Sequence, residues 1–311
     1  MRTCYLHAGM PKTGSTSIQN AFHGYASDTL RYADLGHSNH GTPLVSCFAA
    51  KPEKFYIFRN RQYSAARVAE EVTKHRSRLE REVKKPGDLI LSSEAIVDHL
   101  NAEEIGAMAD FLRGHFDRVQ VIIYVRPLAS LAASQMQERI KAGQMKFFVP
   151  DPTYKRRFQA FIEHFGRDSI TFVRFTREDL VGGSPVSDFC SRVGAKDLAK
   201  DDVSQNEALS AEALGALYAF NKFVGPHLPM RSKVEMRTAL KTRLRNVKGT
   251  KFALTEDLVN AHIKKHAADV LWAEETCGFD VRGRTVSAAD AIGSEADLLA
   301  AAARAKPSRK R

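Results

Sequence analysis

Residues 2–22 read RTCYLHAGMPKTGSTSIQNAF, and the order of chemistry in that stretch decides the fold. Tyr5 and Leu6 make a short apolar run, Gly9, Pro11 and Gly14 break it, and Ser15, Thr16 and Ser17 lead into helical spacing. A strand that ends in a glycine-bearing loop and re-enters a helix leaves backbone N–H groups unpaired at the positive end of a helix dipole. Such a turn is a ready site for a phosphate or sulfate. Gly9 and Gly14 keep the G-x-x-x-x-G spacing of a phosphate loop, but Ser15 and Thr16 stand where that loop carries Lys and Ser/Thr. The lysine sits inside the loop instead, as Lys12. Its displacement is the most informative feature of the chain.

Outward from this loop, apolar runs alternate with helical periodicity. Residues 15–25 read as the first helix, and 61–84 as a long one, with Ala65, Val68, Val72, Leu79 and Val83 at helical spacing and Pro86-Gly87 as its stop. Leu89-Ile90-Leu91 is a continuous apolar run, the mark of a strand buried in a parallel sheet, and it delivers Ser92, Ser93 and Glu94 at its carboxyl end. A helix is expected over 102–116. VQVIIYV at 119–125 is the strongest strand and ends in Arg126-Pro127, a proline placed for the first turn of a helix over 128–142 that carries Ser130 and Ser134. SITFVRF at 169–175 makes another strand, with a short helix near 185–193.

Beyond about residue 204 only helical patterns remain, at 210–223, 231–245 and 255–275, where Leu258, His262 and Trp272 are packing candidates; an Ala-rich segment follows at 287–304. The passages 36–60 and 140–156 read as variable loops, the first holding His37 and His40 around a polar turn. Strands alternating with helices over the first 180 residues predict an α/β fold, a parallel sheet flanked by helices, with a mostly helical C-terminal third. The expected division is a core over 1–225 and a helical extension over 226–311, closing in a frayed basic tail at 306–311.

The net charge of +11 favours anionic partners without choosing among them. Part of it is local: residues 231–251 hold eight Lys/Arg against the single Glu235, a pattern that equally fits a solvated helix face. Cys4, Cys47, Cys190 and Cys277 are far apart with no C-x-x-C spacing, which reads as reduced structural thiols rather than a zinc site. The first strand begins almost at the first residue, and no apolar run approaches the ~20 residues of a spanning helix. A soluble, cytoplasmic protein is the expectation.

Three strand ends thus supply polar groups: the loop from Lys12 to Ser17, then Glu94, then Arg126 with Ser134 two helical turns onward. Side chains on a helix lean toward its N-terminus, so a serine at 134 can lean back toward a strand-end arginine. Amides with one lysine suit one phosphate group, and an arginine with a serine suits a second. A nucleotide phosphorylated at two positions fits both, with a carboxylate between them to take a proton from a hydroxyl.

HAGMPKTGSTSIQ resembles the 5'-phosphosulfate-binding loop of the sulfotransferases that use 3'-phosphoadenosine 5'-phosphosulfate (PAPS), and YVRPLASLAASQ resembles their 3'-phosphate-binding segment. The likeness continues more weakly through LILSSEAI, TREDLVGG with VSDFCSRVG, and SQNEALS, and covers roughly residues 1–225, closest to bacterial members related to the carbohydrate sulfotransferases. The resemblance implies a P-loop-NTPase-like sheet and PAPS as sulfuryl donor, with adenosine 3',5'-bisphosphate as product and no obligatory metal. It implies that Pro11, Lys12, Thr13, Gly14, Ser15, Thr16 and Ser17 cradle the 5'-phosphosulfate, with Lys12 on the sulfuryl group and bridging oxygen. Arg126 and Ser134 would hold the 3'-phosphate. Glu94 stands where carbohydrate sulfotransferases often place a glutamate general base, and His40 is the rival, as acceptor-side base or substrate contact. His7 is expected only to pack beside the loop. Arg126 departs from the family pattern, being followed directly by Pro where Asp-Pro or Asn-Pro is more frequent.

The implied acceptor is a carbohydrate, lipid headgroup or small metabolite, accepting on a hydroxyl or, second in order, an amine; no nucleic-acid partner is expected. Val247-Lys248-Gly249-Thr250-Lys251 is a candidate closing segment over the nucleotide. Two other readings stand beside this one. A P-loop kinase or NTPase would lack the lysine that neutralises its β/γ-phosphates. A non-catalytic nucleotide or acidic-glycan binder would use the basic 231–251 stretch.

Overall fold

The structure, a computed structural model, describes residues 1–195, 198, 208–285 and 290–305. The expected basic tail at 306–311 lies outside the described residues, as do residues 204–207 of the SQNEALS likeness and the first residues of the Ala-rich segment. The chain folds as two compact units, one made of residues 1–126 and 153–204, the other of residues 127–152 and 205–311. A boundary at residue 225 therefore falls inside the second unit.

The first unit carries β1 (Thr3–His7), α1 (Ser15–Phe22), β2 (Leu30–Tyr32), α2 (Gly41–Phe48), α3 (Tyr56–Asn60), α4 (Ala65–Lys84), β3 (Asp88–Ser92), α5 (Ala95–His99), α6 (Ala102–Arg113) and β4 (Arg118–Val125). The second unit takes α7 (Leu128–Ala142); the first resumes with α8 (Tyr154–Phe165), β5 (Ile170–Arg174) and α9 (Pro185–Val193). The strands form one parallel sheet in the order β2-β3-β1-β4-β5. This is an α/β fold with a covered parallel sheet, as expected from the apolar runs.

Alternation along the strands sorts their side chains between two layers. Ile90, Ile122, Tyr124 and Val173 join Ile18 and Phe22 of α1 and Val186 and Phe189 of α9 in one buried cluster. Cys4, Leu6, Leu89, Leu91, Val121 and Ile123 fall on the alternate positions and are buried under the layer of α2, α5, α6 and α8. Beneath the first layer, fully buried Asp188 accepts from the Tyr124 hydroxyl at 2.7 Å and from Arg192 Nε at 2.6 Å, tying α9 to β4.

The strand order places β1 at a topological switch point. β1 has β3 on one side and β4 on the other, and the chain crosses over β1 between those two strands. Ligands of open α/β sheets bind outside the carboxyl ends of strands at such a point. β1, β3 and β4, which end in the three polar segments singled out above, are immediate neighbours.

The second unit continues with α10 (Ala211–Ala219), α11 (Met230–Leu244), α12 (Glu256–Lys265), α13 (Ala267–Cys277) and α14 (Glu295–Ala303). α10 packs backbone-to-backbone on α14: a Cβ at Gly215 would stand 2.3 Å from the Leu298 carbonyl oxygen. Lys222 meets Glu295 at 2.5 Å, and Asn221 donates to the Ile140 and Gln144 carbonyls. In α11 only Leu244 is buried, so the basic stretch is a largely solvated helix.

Three expectations are corrected. The 36–60 passage holds two helices, α2 and α3, and 140–156 ends inside α8, whose Tyr154, Phe158, Phe161 and Phe165 form one buried face. The single helix expected over 255–275 is two, broken where His266 takes φ −110° and ψ 27°. Trp272 and Leu258 are half-buried, while Val259 and His262 are buried. All four cysteines are buried thiols outside any disulfide, and burial pushes the Cys47 thiol up to about 12. Among the described residues no helix is long and apolar enough to cross a membrane.

Candidate active site

The loop after β1 is fastened along the end of β4. Ala8 N–H donates to Ile122 O at 2.9 Å and Met10 N–H to Tyr124 O at 3.1 Å. Thr13 Oγ1 donates to Met10 O at 2.6 Å, closing the turn from within. Lys12 lies at φ 68° and Gly14 at φ 74°, both left-handed, so the chain doubles back twice in three residues. Arg126 Nη1 donates to the Lys12 carbonyl at 2.5 Å and fixes the loop from the β4 side.

Gly14 is the N-cap of α1 and supplies no side-chain cap, and the first turn holds no acidic residue. The amides of Ser15, Thr16 and Ser17 therefore lie at the positive end of the dipole with no acidic side chain in their own turn. Thr13 and Ser15 are buried, Pro11, Lys12 and Ser17 half-buried, and Thr16 exposed. A Cβ at Gly9 would stand 2.8 Å from Thr13 Oγ1, 3.1 Å from His7 Nε2 and 3.3 Å from Ser15 Oγ. Polar atoms thus converge on the Gly9 backbone and leave no room there for a side chain.

Gly14 has a second constraint. A Cβ there would lie 2.6 Å from Pro185 Cγ at the start of α9. Gly14→Ala is expected to cost about 1–2 kcal/mol in left-handed conformation alone, and to push the loop off Pro185. A lowered Tm in thermal denaturation is the expected result; an unchanged Tm would show that neither the left-handed backbone nor the Pro185 contact constrains this position.

Glu94 follows β3 and starts α5 with φ −78° and ψ −24°, and its side chain makes no capping bond to that helix. Burial pushes its carboxyl above the ordinary value, Asp98 adding to the shift while the Ser15 hydroxyl and the Lys12 ammonium oppose it. Ser15 Oγ is close enough to Glu94 to act on its charge yet has no aligned hydrogen-bond partner. The alignment decides, and the contact is electrostatic proximity rather than a made hydrogen bond. Arg126 is pulled down to about 10 by burial and is cationic at neutral pH. Loop, carboxylate and arginine all belong to the first unit.

His40 and His7 sit deeper. His40 Nδ1 accepts from the Ser92 amide at 3.1 Å, and its ring lies 4.4 Å from that of Tyr32. His7 Nδ1 meets Ser92 Oγ at 2.8 Å, its ring against Tyr124 and Phe189. Burial pulls both imidazoles down to about 3, so both are neutral through the working range. His37 is exposed. Ser134 is buried on α7, in the second unit. Val247 through Lys251 also belong to the second unit, where the Thr250 amide donates to Glu212 at 2.9 Å.

Among the described residues, four buried polar atoms without aligned partners gather at the carboxyl ends of β1 and β3: His7 Nε2, Ser15 Oγ, His40 Nε2 and Ser93 Oγ. An unsatisfied buried group is uncommon and costs ~1–3 kcal/mol, and two of the four, His7 Nε2 and Ser15 Oγ, lie together around Gly9. Pro185 and Phe175 carry no signal of their own in the sequence. Phe175 lies 6.0 Å from the Arg126 guanidinium carbon, ring centroid to Cζ, and backs that arginine. Only the residue after each strand end hinted at such roles.

No family model and no curated protein matches the chain. Among solved structures it is similar to a sulfotransferase from Alicyclobacillus acidocaldarius, with 11% identity and a TM-score of 0.35, over 89% of this chain and 96% of that one. At that score the likeness carries none of the reasoning that follows.

Proposed function

We propose that the chain is a sulfotransferase that moves a sulfuryl group from PAPS to a hydroxyl, or second to an amine, of a carbohydrate, lipid headgroup or small metabolite. The observation that carries this reading is the cluster at the ends of β1, β3 and β4. There an uncapped loop containing Lys12, the half-buried carboxyl of Glu94 and the half-buried cation of Arg126 occupy neighbouring strand ends.

The loop suits the donor's 5'-phosphosulfate by amides and hydroxyls: Gly14 through Ser17 enter the first turn of α1, whose amides have no intrahelical acceptor, and Ser15 Oγ has a hydrogen bond left to make. Pro11 and Thr13 hold the turn. Arg126 adds a cation at the loop's back and, with Ser134, is the proposed clamp for the 3'-phosphate. The donor supplies an activated sulfuryl group whose departure leaves charge on a phosphate oxygen. Lys12 is assigned to that charge. Glu94 is assigned as general base, taking the acceptor's proton once it is itself ionised, and His40 as the neutral residue that positions β3 through the Ser92 amide. In-line group transfer of this kind depends mainly on positioning and preorganised charge. Cations and amides of the chain serve that purpose here without a metal in the proposed reaction.

A ligand panel tests the assignment. In thermal-shift measurements adenosine 3',5'-bisphosphate is expected to stabilise the protein more than ATP with Mg²⁺ or GTP. At a hundredfold excess over its Kd the gain is about 2.7 kcal/mol, a rise of several degrees. A preference for ATP with Mg²⁺ would sink the reading in favour of an NTPase. Bisphosphate binding followed by no transfer to any acceptor class, assayed with labelled PAPS, would favour a non-catalytic binder.

A further inference from the structure

Three residues of the second unit, none of them assigned to sulfuryl transfer, form a separate cluster. His262 lies near the end of α12, and His266 is the residue at which α12 breaks before α13. Spaced four apart, they share one side of the helix, and their rings stand 4.6 Å apart at an interplanar angle of 61°. Asp151 comes from the segment that follows α7. One ring nitrogen from each histidine and one Asp151 oxygen lie within 4.8 Å of one another.

The His266 contact is the telling one. Its Nε2 is 2.9 Å from Asp151 Oδ1, yet it is buried and has no aligned hydrogen-bond partner. An N–H directed at the carboxylate would satisfy distance and angle together, and this contact satisfies distance alone. Two ligands of one ion behave in that way. With each donor ~2.1 Å from a shared zinc, the donor atoms stand about 3.0–3.4 Å apart, their lone pairs aimed at the ion rather than at each other.

The second histidine is also prepared. His262 Nε2 donates to the Pro150 carbonyl at 3.1 Å, because a carbonyl only accepts, so the proton is on Nε2 and the lone pair on Nδ1. A backbone carbonyl on the other ring nitrogen is the usual means of orienting a metal-ligating imidazole. Lys265 Nζ stands 3.7 Å from Asp151 Oδ1. Both side chains of that pair are largely exposed, so an arriving cation displaces a weak contact.

We propose that Asp151, His262 and His266 form a binding site for a divalent transition-metal ion, zinc foremost, with solvent completing the coordination. Two imidazoles and one carboxylate favour zinc, cobalt or nickel over magnesium and calcium, which prefer all-oxygen sites. The ion clips the Pro150–Asp151 segment to the α12–α13 junction and serves as a structural fastener of the second unit. The proposal does not rest on the sulfotransferase reading.

Cobalt(II) is the probe. The full-length, tag-free, metal-stripped protein is titrated with cobalt chloride and then with zinc chloride. Visible absorption saturating at one equivalent, displaced by zinc but not by excess magnesium, is expected. His266→Gln and Asp151→Asn each weaken zinc affinity at least about tenfold, with circular dichroism unchanged. Zinc raises the Tm of the wild type but not of either variant. His262→Ala is a third variant, set apart because its burial invites misfolding; His266→Gln and Asp151→Asn carry the test if it misfolds. Unchanged zinc affinity in both of these variants, or no saturable cobalt signal in the wild type, overturns the site.

Discussion

Lys12→Ala is expected to lower the rate of sulfuryl transfer by about 10²–10³-fold, the loss typical of removing one donor aimed at developing transition-state charge. The fold should survive, because the contacts that shape the loop run through its backbone. The Lys12 carbonyl takes the Arg126 bond, and Thr13 Oγ1 closes on Met10 O; alanine preserves both. The left-handed φ of 68° is no kinder to lysine than to alanine, so the conformational cost is already present in the wild type. The loss should appear in kcat more than in the Kd for adenosine 3',5'-bisphosphate, since the bisphosphate has no transferring group and keeps the loop amides and Arg126. Single-turnover kinetics with labelled donor, beside calorimetry with the bisphosphate, separate the two. A kcat within about threefold of wild type, at unchanged Tm, would remove Lys12 from the chemistry.

That loop was readable in the sequence because all its signals are local: an apolar run, two glycines, three hydroxyl residues and a helical repeat. β3 and β4 were equally plain, being buried on both faces and so written as unbroken apolar runs. The adjacency of β3, β1 and β4 was not local. It follows from crossovers that carry the chain past β1, and only the assembled sheet brings Glu94 and Arg126 to the two sides of the Lys12 loop. β2 leaves little trace in the sequence because Leu30–Tyr32 is a three-residue edge strand. α2 reads as loop in the sequence because it opens on Gly41 and Pro43, residues that punctuate more often than they nucleate. Asp188 looks like a surface residue in VSDFC. It is buried because Tyr124 and Arg192 satisfy it; Arg192 stands at i+4 on the same helix, but Tyr124 lies on β4, where no spacing points to it. The burial of His40 belongs to the same class, set by Tyr32 and the Ser92 amide.

Glu94→Gln is expected to lower transfer by about 10²–10⁴-fold, the range of general-base assistance, and at the same time to raise stability at neutral pH. The two effects have one cause. Burial raises the folded-state pKa of Glu94, so the folded protein holds that proton more tightly than the unfolded chain does. The associated stability is fully present below the unfolded value of ~4.3 and is lost as pH rises through the folded value, where the carboxyl ionises in a partly desolvated setting. Glutamine removes that cost. The Tm advantage of the variant should therefore shrink as pH is lowered through the folded value toward the unfolded one. A carboxylate whose task is to cap α5 or orient Lys12 would show the reverse, a Tm that falls on substitution. The wild-type rate profile gives an independent reading. A base must be ionised, so kcat/KM should rise with pH along an acid limb lying above the ordinary carboxylate range. His40, held near 3 by burial, would place that limb lower by more than a unit. An acid limb near 3, with activity kept by Glu94→Gln and lost in a folded His40→Asn variant, would transfer the role of base to the histidine.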